Sequence, residues 1–471
     1  MDFLIVPKNL PTEAIHSRIK GWRHTGNDTF DLYYDPQQAE MRSLGSSTLF
    51  LLGDFWNVPE IPVSDNLSDT VANLMKAVKG NYYGIILEQE KVHVFSCFLN
   101  LMPVFYSPRD RVVTSVFPAF GELHLPLTVS ERYIFEALLF NYPFFNHTIH
   151  NEVKLLSTHH LLSLDDHMAV ETEFFNVTEL FIENPRQDKR SYNELADIFI
   201  RTVDEYVPDR GAAISFTGGF DGRTIVSSAM KLNKDFITFS FGKPENDDVW
   251  VPKKNAGELG LKYLAINPLE NNYTDKHYSD NSIELSANSG GFNGFLYPHF
   301  LYMSKVISDG ADVMITGYGG SEILRAAHVA GAVISQELYD IIQSDDFEIL
   351  KETIRKSNRL KVLNQESVKI NLEAFINDLK EYKGTIAVLS TPNMKLYYFL
   401  LNETVRKIFG AWVYSQMKYI KVRTPYLDFH FVESVYKTTW LGLITTSSLI
   451  IPLNVSKANY STQLLFQKPV N

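Results

Sequence analysis

Short apolar runs and period-two alternation dominate the first 175 or so residues, and a different rhythm takes over after about residue 190. In the first part, Tyr82-Tyr83-Gly84-Ile85-Ile86-Leu87 and Lys91-Val92-His93-Val94-Phe95 read as two strands joined by Glu88-Gln89-Glu90, a hairpin-length connection. Further strands are predicted at Pro103–Tyr106, Val112–Ser115 and His160–Leu164. Around residues 183–190 apolar content drops and charge rises, which marks a linker. Beyond it, short apolar strands alternate with helical segments, the pattern of a parallel sheet wrapped by helices. Ser191 and Glu194 form a capping box for a helix whose apolar face carries Leu195, Ile198, Phe199, Thr202 and Val203.

A buried strand at Ala212–Phe216 runs into Thr217-Gly218-Gly219-Phe220-Asp221-Gly222 and then a helix over Arg223–Met230. Strands at Phe236–Phe241, Tyr263–Ile266 and Val313–Thr316 alternate with helices over Val251–Leu259 and Pro298–Ile307. Residues 335–420 are predicted mostly helical, and no internal repeat is found. The expected class is α/β plus α+β. A β-rich domain spans residues 1–180, and a doubly wound α/β domain with helical additions spans residues 190–471.

Composition narrows the function. The 471 residues are 45% hydrophobic and 21% charged, ordinary globular values, and suffice for substantial cores. A net charge of −11 argues against nucleic acid or an anionic membrane as a general partner. No run approaches the roughly 18 uncharged apolar residues of a membrane span, and the start of the chain is too short an apolar run for a signal peptide, so a cytoplasmic protein is expected. The single cysteine, Cys97, excludes a disulfide framework and thiolate metal clusters within one chain, and disfavours sulfur-transfer chemistry. The pairs His159-His160 and His147 with His150 lack the spacing of zinc ligands and read as surface or loop residues.

The informative segment is the glycine turn between strand and helix at 212–230. Gly218 and Gly219 let backbone amides approach phosphate oxygens beside a helix amino terminus. Thr217 adds a hydroxyl, and Asp221 fits an anionic site if it holds Mg²⁺ between phosphates. A lone Gly-Gly turn is more often just a cap.

Thr217-Gly218-Gly219-Phe220-Asp221 resembles the pyrophosphate loop, Ser-Gly-Gly-x-Asp-Ser, of the ATP pyrophosphatases and specifically of the asparagine synthetase family. Val313 to Glu322, through Thr316-Gly317-Tyr318-Gly319-Gly320-Ser321-Glu322, resembles that family's Thr-Gly-Glu-Gly-x-Asp-Glu landmark. Arg423-Thr424-Pro425-Tyr426-Leu427-Asp428 resembles its Arg-x-Pro-Phe-Leu-Asp segment, and Thr238-Phe239-Ser240-Phe241 sits where the family has the strand beside adenine. More loosely, residues 80–115 are similar to its amidotransferase-type antiparallel sandwich.

The resemblance implies ATP and Mg²⁺ as cofactors and an AMP-forming ligase that adenylates a small-molecule or peptide carboxylate and passes it to an amine. Its nucleotide contacts would be Ser215, Thr217, Gly218, Gly219, Phe220, Asp221, Gly222, Arg223, Thr224, Phe239, Ser240, Gly317 and Gly319, with Asp221 and Glu322 on the metal. Position 2 is Asp2 where glutamine-using members carry a cysteine, so no glutamine hydrolysis is expected.

The departures matter. Tyr318 stands in place of the family's glutamate and resembles the β-lactam and carbapenam synthetases, where a tyrosine pairs with a glutamate as base. Glu403 is the candidate partner. Ser321 replaces an aspartate, Gly222-Arg223 replace hydroxyl residues, and after Asp428 only Lys437, Lys457 and Lys468 can supply the family's catalytic lysine, Lys457 being best placed. These changes keep two alternatives beside the ligase: a nucleotide-binding or partner-binding homologue without turnover, and an ammonia-dependent asparagine synthetase. The substrates stay open, as does a homodimer.

Overall fold

The computed structural model describes residues 1–60, 66–181, 189–270, 273–291, 294–324, 341 and 344–438. The chain divides into two compact units. One gathers Met1–Thr178, Glu284–Phe295 and Val333–Tyr414, and the other Glu179–Ile283, Leu296–Ala332 and Ser415–Asn471. This differs from a single boundary between 180 and 190, because most of the helical run over 335–420 packs with the β-rich unit. Amphipathic periodicity tells that a helix has a face to bury, not which core receives it.

The first unit holds two six-stranded antiparallel sheets. One runs in the order Lys154–Leu155, Phe105–Ser107, Val112–Thr114, Phe3–Pro7, Phe30–Tyr34, Arg23–Gly26. The other runs Ala169–Glu173, His160–Leu164, Val92–Ser96, Lys79–Leu87, Ser47–Trp56, Ala39–Leu44. The expected hairpin is present, with Ile85 opposite Val94.

Alternation sends successive residues of Phe3–Pro7 to opposite faces, and all five are buried. Phe3 meets Tyr83 of the other sheet edge-on at 5.0 Å between ring centroids, and Tyr34 meets Phe50 at 5.4 Å. Leu4 and Val6 belong to a cluster with Ile15, Ile19, Phe117 and Phe120.

The second unit is built on a five-stranded parallel sheet, ordered Tyr263–Ile266, Phe236–Phe241, Ala212–Ser215, Val313–Ile315, Lys421–Arg423. In chain order that is 3-2-1-4-5. Right-handed crossovers place helices on opposite faces either side of the point where the order reverses. The helix Lys189–Tyr206 includes both Ser191 and Glu194. Its expected stripe does turn inward, with Leu195, Phe199 and Val203 buried and Ile198 half-buried. No described helix is long and apolar enough to cross a membrane.

Candidate functional site

Ligands of open parallel sheets bind beyond the carboxyl ends of the strands, where strand order reverses. In the second unit this point lies between Ala212–Ser215 and Val313–Ile315, and each strand leads into a glycine-rich turn. The first turn ends at Gly219, the N-cap of the helix Phe220–Lys231, where no side chain supplies a cap. Helix termini of this kind leave backbone amides that side chains, water or anions can engage.

Two amides of the turn are engaged by side-chain oxygens. Gly218 N–H donates to Asp248 Oδ1 at 3.0 Å, and Gly219 N–H donates to Thr217 Oγ1 at 3.2 Å. Asp248 went unnoticed in the sequence. The signal for it was the pair Asp247-Asp248 in the first turn of the helix Asp247–Leu259, which follows the second parallel strand.

Arg223 is 1% exposed and donates from Nη2 to Gly218 O at 2.6 Å, tying the turn to its own helix. Burial lowers the guanidinium pKa, and the nearby Asp248 carboxylate opposes that shift. Thr224 is fully buried and donates back to Phe220 O at 2.9 Å, so its hydroxyl braces the helix. In the adjacent strand, Phe239 is buried, and the Ser240 hydroxyl bonds the Tyr263 phenol.

The second turn is seated by glycines. A Cβ at Gly317 would lie 3.1 Å from Asp221 Cβ, and one at Gly320 would lie 2.6 Å from Asp221 Cγ. Gly319 has φ +82°, and its added Cβ would meet Leu427 at 2.2 Å. Ser321 Oγ donates to Asp221 Oδ2 at 2.9 Å, and Tyr426 OH donates to the Asp221 carbonyl at 3.1 Å.

All three sequence landmarks therefore converge on Asp221. The ends of the third landmark serve the fold: Arg423 donates to Tyr206 O at 3.0 Å, while Asp428 accepts from Tyr206 OH at 3.1 Å and from Phe431 N–H at 3.0 Å.

Gly222 shows why a serine does not stand there. A Cβ would lie 2.4 Å from the Ser215 carbonyl oxygen, where helix and strand are in close contact. Gly222→Ala is expected to cost about 1–3 kcal/mol by overpacking, seen as a lowered thermal midpoint. An unchanged midpoint would contradict this geometry.

Tyr318 belongs to the parallel-sheet unit, where its OH donates to Gln416 Oε1 at 3.2 Å and its ring meets Phe300 edge-on at 5.9 Å. Burial raises the phenol pKa well above its ordinary value. Glu403 belongs to the β-rich unit, where it accepts from Phe145 N–H at 3.0 Å and Lys407 Nζ at 2.5 Å. Lys457 lies outside the described residues. Glu322 is 6% exposed in the helix Gly320–Leu324, and Ser215 is half-buried.

A metal-nucleotide fits what surrounds the first turn. Thr316, at the end of the fourth strand, is 2% exposed, and its Oγ1 has no partner. No group of three or more His, Cys, Asp or Glu capable of holding an ion occurs among the described residues. Mg²⁺ commonly takes one or two carboxylates and completes its shell with phosphate oxygens and water, which Asp221 suits.

Asp2 and Cys97 lie in the β-rich unit. Asp2 accepts from Tyr414 OH at 2.9 Å and Ser115 Oγ at 3.2 Å. Cys97 is buried, and burial raises its thiol pKa. His159, read from sequence as a surface or loop residue, is 1% exposed with φ +58°.

No protein-family model matches the chain, and no curated relative does. Among solved structures it is similar to an allosteric regulatory enzyme of purine biosynthesis, at 11% identity and TM-score 0.26, covering 56% of this chain and 64% of that one. It is also similar to the glutamine phosphoribosylpyrophosphate amidotransferase from B. subtilis in complex with ADP and GMP, at 11% identity and TM-score 0.24, covering 75% and 88%. The chain thus spans under two thirds of the first of these enzymes. Likenesses this shallow assign no activity.

Proposed function

We propose that the parallel-sheet unit binds magnesium-ATP and that the protein is an AMP-forming carbon–nitrogen ligase of the asparagine synthetase type. It would activate a carboxylate as its adenylate and pass the acyl group to an amine, without hydrolysing glutamine. The observation that best supports this reading is the convergence of three separate motifs on Asp221, at the switch point of a 3-2-1-4-5 sheet.

In this reading the amides of Gly218 and Gly219 and the helix terminus at Phe220 hold the pyrophosphate, and the Thr316 hydroxyl supplies a further donor. Asp221 holds the ion, which offsets phosphate charge. Tyr318, with its raised pKa, is neutral at physiological pH and orients the acceptor side, its hydroxyl donating to Gln416 Oε1. The carboxylate is a small molecule or peptide, and the setting is cytoplasmic.

One observation favours a second reading, nucleotide binding without turnover: the Gly218 and Gly219 amides that the first reading gives to phosphate are engaged by Asp248 and Thr217. ATP–pyrophosphate exchange separates the two. Exchange stimulated by a carboxylate supports the ligase, whereas nucleotide binding without exchange across a broad acid panel supports the alternative. Asp248→Ala is expected to tighten ATP binding about fivefold, since an anionic competitor leaves the amide. Weakened binding in a titration would make Asp248 a ligand contact instead.

A further inference from the structure

A cavity of about 570 Å³ lies within the β-rich unit. That is within the roughly 300–1,000 Å³ of small-molecule sites. Helix Gln365–Thr385 contributes Asp378, Glu381, Tyr382 and Thr385, a single stripe at i, i+3, i+4 and i+7. The next wall is the π-helix Leu400–Phe409, with Asn402, Glu403 and Arg406 on the cavity. A π-helix ten residues long is rare, and π-bulges concentrate at functional sites.

The charges on these two walls pair largely with one another and with the backbone, Glu403 and Arg406 buried and Asp378 part-exposed. Arg406 donates to Leu156 O at 2.7 Å, Phe145 O at 2.5 Å and Asn146 Oδ1 at 3.2 Å. Glu403 is matched by Lys407, and Asp378 by Arg132 at 2.9 Å. Arg406 is thereby a clamp on the 145–156 segment and not a receptor for anions. The lining also carries Glu173 and Glu381, both exposed, against Lys154.

Phe145, Tyr382 and Tyr398 stand as a run of tilted rings, with centroids 6.0 and 6.1 Å apart. Burial, and then the charges of Glu173 and Glu403, push the Tyr398 phenol up to about 12. A second feature is independent of the acids. His159 lines the cavity, is 1% exposed, and its Nε2 has no partner. Burial holds this imidazole neutral, with its pKa pushed down to about 3, so one ring nitrogen is an acceptor for an N–H.

We propose that this cavity binds an organic cation, a primary ammonium or a guanidinium on an aliphatic stem, between the aromatic rings and the carboxylates of Glu173 and Glu381. Aromatic faces attract such cations through their ring quadrupoles, and desolvation in a cavity strengthens the attraction. The site lies in the unit without the glycine turns, and its test involves no nucleotide.

Isothermal titration of the full chain with cadaverine, with a short lysine-containing peptide and with glutarate tests the proposal. Cadaverine or the peptide should bind, glutarate should not, and Glu381→Gln and Tyr398→Leu should each weaken binding about tenfold. Glu381 is exposed, so its variant keeps the fold, to be checked by thermal melting. Binding of both cations identifies a site for the ammonium itself, and binding of the peptide alone identifies a site for a cationic side chain. Heat from neither cation, equal heat from glutarate, or unchanged affinity in both variants overturns it.

Discussion

Asp221→Asn is expected to weaken magnesium-dependent ATP binding about a hundredfold or more while leaving the thermal midpoint almost unchanged. The charge of Asp221 is separable from its place in the packing. Its Cβ and Cγ fit against Gly317 and Gly320, and its Oδ2 accepts from Ser321. Asparagine keeps the same shape and can accept that hydrogen bond through its carbonyl oxygen. What it loses is the negative charge that a hard cation requires. Asp221→Lys goes further, replacing the attraction by repulsion, and should abolish binding. Titrating ATP with and without Mg²⁺ reads the outcome. If Asp221→Asn binds magnesium-ATP as the parent does, Asp221 is a structural acceptor for Ser321, and the ligase reading loses its central support.

Parts of this site were legible before any coordinates, for identifiable reasons. Parallel strands buried on both faces are continuous apolar runs, so Phe236–Phe241 and Val313–Ile315 stood out, and a glycine pair directly after Ala212–Ser215 marked the turn. The convergence on Asp221 was legible only as a resemblance of motifs, because residues 221, 321 and 426 meet through sheet order and not through spacing.

Asp248 was missed because a carboxylate at a helix start looks like ordinary dipole complementarity, and only the fold brings it onto Gly218. His159, read as a surface or loop residue, does lie in a turn, but stacking on Phe98 with centroids 5.3 Å apart holds it inside. Glu403 was singled out as a charge on a helix with Arg406 and Lys407 in the following turn. All three proved buried together, a state that i, i+4 spacing does not distinguish from a solvated face.

That burial makes Glu403→Gln a strongly destabilising change in the β-rich unit. Glu403, Arg406 and Lys407 are each at most 5% exposed, and the carboxylate is the counter-charge for both cations, with Lys407 Nζ at 2.5 Å and Arg406 Nη2 at 3.6 Å. Removing one partner of a buried ion cluster leaves charge that water cannot reach, at a cost of about 3–5 kcal/mol.

The pH dependence gives the effect a distinctive sign. Burial pulls the Lys407 ammonium down to about 8 despite Glu403, which acts to raise it. A lysine depressed in the folded state binds fewer protons there than in the unfolded chain, whose lysine titrates near 10.4. Stability from this group is therefore fully present above about pH 10.4 and is lost as pH falls through about 8. Without Glu403 the folded pKa drops further, and the penalty grows toward neutral pH. Urea unfolding of parent and variant should accordingly show a large gap at pH 7 that narrows at pH 9.5. A gap independent of pH would mean that Lys407 keeps its proton without Glu403, held by the Pro143 carbonyl it also bonds at 2.7 Å.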